Sequence, residues 1–354
     1  MTKPFSFVTV VHSGEVPLLK LQARGLAKHL APDLVEDILV LINDRDEDAV
    51  RREIEPLRAA YGDLGDKLRI LGPEDVFGQK PLRLNLSQRI RLSMAQSNLF
   101  APFRVWTGWK GNWGWAVQQA MKLAAGYVAD GRYCVILDCK NIPLRPLTLD
   151  DFVAPDGRPK ANLQTPGKLH NRWLPASLRA VGLSPRAQAY TPLTQFVTPW
   201  VVETEFLKDA CAHVEARRGP IEALFSVRSM NAALWPVFNY TEFMMLNAYA
   251  FLSNPGGVEA VFADDVLLST GVHASSSETE IENWLTQAAQ PSTKMIGLHS
   301  GVAGVLAEKN TKRLSGVLID QGVIEEPGEL TAVLNELQNR NSKRIKQANK
   351  RRAA

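Results

Sequence analysis

The residue types best suited to chemistry lie on one predicted helix and on the strand that follows it. Residues 114–129 are rich in Ala, Gln, Met and Leu, a composition typical of a stable helix. Gln118 and Lys122 lie four residues apart in this segment and therefore share one face of the predicted helix. The apolar run that follows ends in Asp138, which predicts a buried strand with a carboxylate at its carboxyl end.

A helix that carries an amide and an ammonium beside such a strand predicts a polar pocket at the strand's carboxyl end. Lys140 and Asn141, just after the strand, add a second ammonium and a second amide. These groups neutralise phosphate oxygens and donate hydrogen bonds to them, so the pocket suits a diphosphate. Two structural alternatives stand beside this interpretation: Asp138 as the cap of the following turn, and Lys122 as one half of a salt bridge.

The elements that must position these side chains alternate between strands and helices. Apolar, β-branched runs at 5–11 and 37–42 predict strands, with a helical pattern between them. Such alternation predicts βαβ units and a mainly parallel sheet. Ligands of open α/β sheets bind at the carboxyl ends of the strands, where this sequence places His12 after the first strand and Asn43 and Asp44 after the second.

Three further elements are predicted late in the sequence. Residues 241–250 predict a buried helix with Thr241 as its N-cap. Short apolar runs at 258–262 and 294–299 predict two small strands, the second of which leads to His299.

The polar helix and strand also carry a family resemblance. Residues 114–146 read GWAVQQAMKLAAGYVADGRYCVILDCKNIPLRP, and this pattern resembles an uncharacterised bacterial family of GT-A-fold glycosyltransferases, labelled a domain of unknown function. Further matches are VTVVHSGE at the first strand, LIND at the second, TEFMMLNAY late in the chain and GLHSG near its end. The resemblance extends from Thr9 to about Gly304.

The resemblance implies one GT-A-like (Rossmann-like) α/β domain over residues 1–330, with a mainly parallel central sheet flanked by helices. It implies a glycosyltransferase that moves a sugar from a nucleotide-sugar donor to a hydroxyl of a glycan or glycolipid acceptor, in bacterial surface polysaccharide synthesis. One alternative is a catalytically silent sugar-nucleotide or glycan-binding module on the same fold. A weaker one is a nucleotidyltransferase, which normally needs two metal-binding carboxylates.

The same resemblance implies roles for individual residues. The nucleobase and ribose would be held at the ends of the first two strands by Thr9, Val11, His12, Asn43 and Asp44. The diphosphate would be held by Gln118, Lys122, Lys140, Asn141 and His299. Asp138 would be a catalytic residue that holds the sugar or a metal. His12 and His299 also have a structural alternative, as histidines that stabilise their own turns.

Glu242 follows the predicted N-cap and resembles an acceptor-side carboxylate. In an inverting enzyme it would be the general base that takes the proton of the acceptor hydroxyl. In a retaining enzyme it would orient the acceptor instead. A carboxylate at a helix start also stabilises the helix macrodipole without any catalytic role.

The metal motif of the GT-A superfamily is incomplete here. The superfamily strand ends in Asp-x-Asp, whereas this sequence has Asp138-Cys139-Lys140. An ammonium has no lone pair for Mg²⁺ or Mn²⁺, and these hard cations prefer oxygen ligands. Two alternatives follow: Asp138 and His299 hold the divalent cation together, or Lys140 supplies the positive charge in its place. We favour the second.

Composition excludes several other classes. The 354 residues are 45% hydrophobic and 22% charged, as in an ordinary globular protein. Seven Lys and Arg residues from Arg340 onward outweigh the formal net charge of +4, so the rest of the chain is slightly acidic and predicts no nucleic-acid partner. The sequence carries no dinucleotide-binding, P-loop, zinc-protease or nucleophile-elbow motif.

Targeting features predict a cytoplasmic protein. Three cysteines without a CxxC pair fit a reducing compartment, and no signal peptide or membrane-spanning run is expected. Residues 331–354 are predicted to form a basic helical or disordered tail, whose charge would contact anionic lipid at the inner membrane. The tryptophans at 106, 109, 113 and 115 are predicted as core residues, with one or two as sugar-stacking residues.

Overall fold

The computed structural model describes residues 3–44, 46–78, 114–184, 190–228, 241–265 and 269–342. Trp106, Trp109 and Trp113 lie outside the described residues, as does the basic tail from residue 343 onward. Trp115 is described and is partly exposed at the start of a helix.

The strands and helices of the described residues follow the predicted alternation in the first half of the chain. The strands are β1 (Phe5–Val11), β2 (Val35–Ile42), β3 (Leu68–Leu71), β4 (Tyr133–Asp138), β5 (Asn141–Pro143), β6 (Lys160–Ala161), β7 (Leu163–Gln164), β8 (Leu193–Thr194), β9 (Trp200–Glu203), β10 (Ala263–Asp264), β11 (Ser269–Val272) and β12 (Met295–Leu298). The helices are α1 (Val16–His29), α2 (Glu47–Ile54), α3 (Pro73–Phe77), α4 (Gly114–Ala124), α5 (Leu149–Phe152), α6 (Lys168–Val181), α7 (Thr204–Arg218), α8 (Ile221–Arg228), α9 (Glu242–Ser253), α10 (Val258–Val261), α11 (Glu278–Ala288), α12 (Glu308–Asp320) and α13 (Pro327–Arg340).

The central sheet is mainly parallel and is covered on both faces. Its order is β3-β2-β1-β4-β9, and β9 runs antiparallel to β4 whereas the other pairs are parallel. Successive side chains of a strand point to opposite faces: Phe7 of β1 packs in the hydrophobic cluster that contains α1, and Val8 packs in the cluster that contains α4 and α9. The predicted α/β fold class, a mainly parallel sheet flanked by helices, is confirmed.

A second sheet brings the end of the chain to the end of β4. It has the order β11-β12-β5, with β11 parallel and β5 antiparallel to β12. Strand β5 begins three residues after Asp138, and the backbone N–H of Leu298 donates to the carbonyl of Lys140 at 2.9 Å. This pairing places His299, the residue after β12, beside the turn that joins β4 to β5.

Two of the late elements are as predicted and one is not. Thr241 caps helix α9, since its Oγ1 accepts the backbone N–H of Met244 at 3.2 Å, and the strand leading to His299 is β12. The predicted strand at 258–262 is wrong, because Val258–Val261 forms the short helix α10. Val258 and Phe262 are both buried and lie four residues apart, a spacing that suits one face of a helix.

The C-terminal helices complete the hydrophobic cluster beneath β1. Helix α13 contributes four buried leucine and valine side chains to the cluster of Phe5 and Phe7: Leu330, Val333, Leu334 and Leu337. One helix therefore spans the predicted boundary at residue 330. Among the described residues, no helix is both long enough and apolar enough to cross a membrane.

Candidate active site

Asp138, the last residue of β4, accepts hydrogen bonds from four side chains. Its Oδ1 accepts from Lys122 Nζ at 2.6 Å and from Gln118 Nε2 at 3.0 Å. Its Oδ2 accepts from Lys140 Nζ at 2.7 Å and from Thr198 Oγ1 at 2.9 Å. The structure thus brings together the helix face and the strand end that the sequence predicted, around one carboxylate. We call these five side chains the Asp138 cluster.

The charges of the Asp138 cluster hold each other in their ionised forms. Burial raises the pKa of Asp138, but the ammonium groups of Lys122 and Lys140 lower it by a larger amount. The pKa of Asp138 therefore lies well below its usual range. Burial lowers the pKa of Lys122, but the charges of Asp138 and Glu242 more than offset this, and the pKa is raised. The carboxylate and the ammonium therefore stay charged across the neutral range.

Glu242 lies on the other side of Lys122. It begins helix α9 and is buried, with its Oε1 3.6 Å from Lys122 Nζ. Lys122 therefore lies between two carboxylates and is itself buried. The salt-bridge alternative for Lys122 describes its contacts in this structure.

Three buried polar side chains hold the turn after β4 in place. Asn141 Oδ1 accepts the backbone N–H of Asp138 at 2.8 Å, and Asn141 Nδ2 donates to the carbonyl of Thr198 at 3.3 Å. Gln22 on helix α1 donates from Nε2 to the carbonyls of Asp138 and Asn141 at 2.8 and 3.0 Å. Thr9 donates from Oγ1 to Gln22 Oε1 at 2.9 Å. Thr9 and Asn141 thus lie beneath the site and support it.

Gln22 and Thr198 are site residues that the sequence analysis missed. Gln22 had a detectable signal, because it follows Leu18 and Leu19 at helical spacing and so lies on the apolar face of α1, where an amide needs partners. Thr198 carried no such signal. It reaches Asp138 through the antiparallel pairing of β9 with β4, which sequence spacing does not reveal.

Thr198→Val tests the hydroxyl of the Asp138 cluster with almost no change in shape. The variant removes the hydrogen bond from Oγ1 to Asp138 Oδ2. We expect the free energy of unfolding to fall by about 1.5–3 kcal/mol, because the acceptor is charged and partly buried. Urea denaturation would measure the difference. Thr311→Val, which removes an exposed hydroxyl on α12, is the matched control, and equal losses in the two variants would contradict the assignment.

The ends of β1 and β2 lie beside each other, as predicted. The backbone N–H of Asn43 donates to the carbonyl of Val11 at 2.7 Å, and Asp44 Oδ2 accepts the backbone N–H of Ser13 at 2.9 Å. Val11 is buried in the sheet, whereas His12 is partly exposed at its edge, with its Nε2 3.5 Å from Glu15 Oε2. Asp44 therefore ties the turn after β1 to the end of β2.

His299 lies at the same edge of the molecule, beside His273. Their ring centroids are 5.6 Å apart. Burial, followed by the charge of Lys140, lowers the pKa of His273. The histidines after β11 and β12 therefore lie near the ammonium of Lys140, which follows β4.

The donor set around Asp138 does not fit a divalent cation. Within the described residues, no three His, Cys, Asp or Glu side chains are grouped so as to hold a metal ion. Both oxygens of Asp138 already accept two hydrogen bonds each, and two of the four donors are ammonium groups. A cation between Asp138 and His299 would have to displace these donors and face the charge of Lys140.

The fold and site define an α/β protein with a charged polar site at the carboxyl end of a parallel sheet. The chain belongs to DUF6492, a family of unknown function whose model matches residues 10–292. The predicted membership of an uncharacterised family is confirmed, although the match ends before the Gly-Leu-His-Ser-Gly segment. No curated protein matches the chain.

Several solved structures overlap with this fold at low identity. The galactosyltransferase LgtC in complex with donor and acceptor sugar analogs is 13% identical, with a TM-score of 0.41, over 88% of this chain and 95% of that one. The bifunctional glycosyltransferase WbbM is 11% identical, with a TM-score of 0.41, over 95% of this chain and 52% of that one. Mouse xyloside xylosyltransferase 1 is 8% identical, with a TM-score of 0.36, over 83% of this chain and 97% of that one.

Proposed function

We propose that the protein is a glycosyltransferase that moves a sugar from a nucleotide-sugar donor to a hydroxyl of a glycan or glycolipid, with lysine charge in place of a divalent cation. The observation that supports this most directly is the Asp138 cluster, a carboxylate held by two ammonium groups at the carboxyl end of β4. Ligands of such sheets bind at this edge. The motif resemblance of the sequence supports the same reaction class.

The two lysines have different roles in this proposal. The side chain of Lys122 is 5% exposed and lies between Asp138 and Glu242, whereas that of Lys140 is 23% exposed. Lys140 therefore faces the ligand and stabilises negative charge on the leaving nucleotide phosphate as the sugar–phosphate bond breaks. Lys122 fixes the carboxylate that orients Lys140.

The remaining predicted residues divide between contact and support. His12, Asn43 and Asp44 line the nucleoside side of the site, and His299 lies on its phosphate side. Gln118 helps to orient Asp138, and the buried Thr9, Val11 and Asn141 act beneath the surface.

Glu242 serves the acceptor in this proposal. In an inverting reaction it takes the proton of the acceptor hydroxyl while that oxygen bonds to the anomeric carbon and the nucleotide leaves. In a retaining reaction it orients the acceptor. We place the reaction in the cytoplasm, at the inner face of the membrane, where the basic tail would meet anionic lipid next to a membrane-bound acceptor.

The test is donor binding and turnover with and without a chelator. We expect one of the UDP-, GDP-, dTDP- or CMP-linked sugars to raise the melting temperature equally in EDTA and in Mn²⁺, and to be hydrolysed or transferred. Lys140→Ala should weaken donor binding by about tenfold or more, since it removes a charge-assisted contact to phosphate. Binding without turnover in the presence of glycan acceptors would favour the sugar-nucleotide-binding module, and no binding at all would refute the donor site.

A further inference from the structure

The chain carries the sequence His-Ser-Gly twice, and the structure builds the same turn from both copies. His12 follows β1, and its Nδ1 accepts the backbone N–H of Gly14 at 3.0 Å. His299 follows β12, and its Nδ1 accepts the backbone N–H of Gly301 at 3.1 Å. Each histidine is thereby the N-cap of a short 3-10 turn, Ser13–Glu15 and Ser300–Gly304 respectively.

This shared hydrogen bond fixes the chemistry of both rings. A ring nitrogen that accepts a backbone N–H carries no hydrogen of its own, so the hydrogen of the neutral imidazole lies on Nε2. Both rings therefore carry their hydrogen on Nε2, and the His12 Nε2–H faces Glu15, whose Oε2 lies 3.5 Å from that nitrogen.

Glu15 connects the two turns. Its Oε2 lies 3.5 Å from His12 Nε2, and its Oε1 accepts from Ser300 Oγ at 3.4 Å. Burial raises the pKa of Glu15, but its hydrogen bond with His12 works in the opposite direction, and the pKa lies below its usual value. Glu15 thus remains an anion that joins the end of β1 to the end of β12.

The end of helix α13 holds the first turn from the opposite side. Asn341 is buried, and its Nδ2 donates to the carbonyl of Gly14 at 2.8 Å. Arg340 donates from Nη1 to the carbonyl of Ser13 and to Glu53, both at 2.7 Å. The same helix packs against the second turn, Ser300–Gly304.

Gly14 lies in close contact with the side chains of both His12 and Asn341. A Cβ at this position would lie 2.7 Å from the His12 ring and 2.8 Å from Asn341 Oδ1. Helix α13 lies beyond residue 292, where the family match ends. The support of the first turn therefore comes from a part of the chain outside that match.

We propose that Asn341 and Glu15 are positioning residues of the donor site, which fix the imidazole rings of His12 and His299 where they line the nucleotide. Asn341 sets the first turn from beneath, and Glu15 ties it to the second. The assignment of these rings to a nucleotide site rests on the proposed function. The positioning itself has a readout that needs no ligand.

Asn341→Asp tests the proposal with a side chain of the same shape that lacks the Nδ2 donor. In protein labelled with ¹⁵N-histidine, we expect the His12 ring of the wild type to give the signals of the Nε2–H tautomer alone. The variant should give a mixture of both tautomers at His12. The chain has six histidines, and His12→Gln identifies the signals of this ring.

Arg24→Ala is the matched control, because it removes a contact at the other end of helix α13. Arg24 on α1 pairs with Glu329 near the start of α13, far along the helix from Asn341. This variant loosens α13 without touching either His-Ser-Gly turn, so the His12 signals should stay as in the wild type. An unchanged His12 tautomer in Asn341→Asp, or an equal change in both variants, would overturn the positioning role.

Donor kinetics then separate the two proposals. We expect Asn341→Asp to raise KM for the nucleotide sugar about tenfold and to leave kcat within about twofold, because the imidazole contacts act on the bound donor. A wild type that binds no nucleotide sugar would refute the proposed function, while the histidine signals still decide the positioning role. Unchanged KM beside an altered His12 tautomer would overturn the assignment of His12 to the donor.

Discussion

Lys122→Met is expected to lower the free energy of unfolding by about 3–5 kcal/mol at neutral pH. Removal of one partner from a buried ion pair leaves the other charge without its counter-ion in a medium of low polarity. Here the lost ammonium is shared by Asp138 and Glu242, at 2.6 and 3.6 Å. Methionine fills a similar volume, so that charge changes more than packing does.

The loss should depend on pH in a direction that the pKa shifts define. The pKa of Asp138 is depressed in the folded wild type, so its contribution to stability is present above its unfolded value of about 3.9 and is lost as the pH falls further. The pKa of Lys122 is raised, so its contribution is present below about 10.4 and is lost as the pH rises through the folded value. The difference in the free energy of unfolding between wild type and variant should be largest from about pH 5 to 9 and should become smaller below about pH 4.

Urea denaturation at several pH values measures both effects. Lys208→Met is the control, because Lys208 and its partner Glu205 are 46% and 76% exposed and such a pair contributes at most about 0.5 kcal/mol. A loss below about 1 kcal/mol for Lys122→Met, or a loss that grows in acid, would show that Lys122 is not the counter-ion of these carboxylates.

The part of the site that the sequence predicted consists of polar residues whose positions follow from helix spacing or from the end of an apolar run. Gln118 and Lys122 share a helix face by their spacing, and Asp138 ends an apolar run. Both features follow from local geometry. In the structure, Gln118 Nε2 and Lys122 Nζ donate to Asp138 Oδ1 at 3.0 and 2.6 Å. The parallel pairing of β1 and β2 also follows from local alternation, because helix α1 separates these strands.

The contacts that the sequence did not reveal all depend on long-range register. Thr198 reaches Asp138 because β9 pairs with β4, and His299 lies beside Lys140 because β12 pairs with β5. Asn341 reaches Gly14 across most of the chain through the packing of α13. Strand and helix composition leaves such register undetermined. The predicted strand at 258–262 failed for a local reason, since a short apolar run fits a helix as well as a strand.

Lys140→Asp is expected to create a metal site where the wild type has an ammonium. The variant restores an Asp-x-Asp pattern, removes the Lys140 hydrogen bond from Asp138 Oδ2, and adds a second carboxylate next to His299. Hard cations bind grouped carboxylate oxygens. At a hundredfold excess over its Kd, Mn²⁺ would stabilise the variant by about 2.7 kcal/mol.

Thermal denaturation with a Mn²⁺ series and with EDTA measures this gain. Without metal, Lys140→Asp should have a lower melting temperature than the wild type. The variant places a second carboxylate next to Asp138, where the wild type has the Lys140 ammonium that lowers the pKa of Asp138. Lys140→Ala removes the ammonium without adding a ligand and should respond to Mn²⁺ no more than the wild type does. If Mn²⁺ instead stabilises the wild type, or if EDTA abolishes its donor binding, the cation belongs to Asp138 and His299, and the role proposed for Lys140 is wrong.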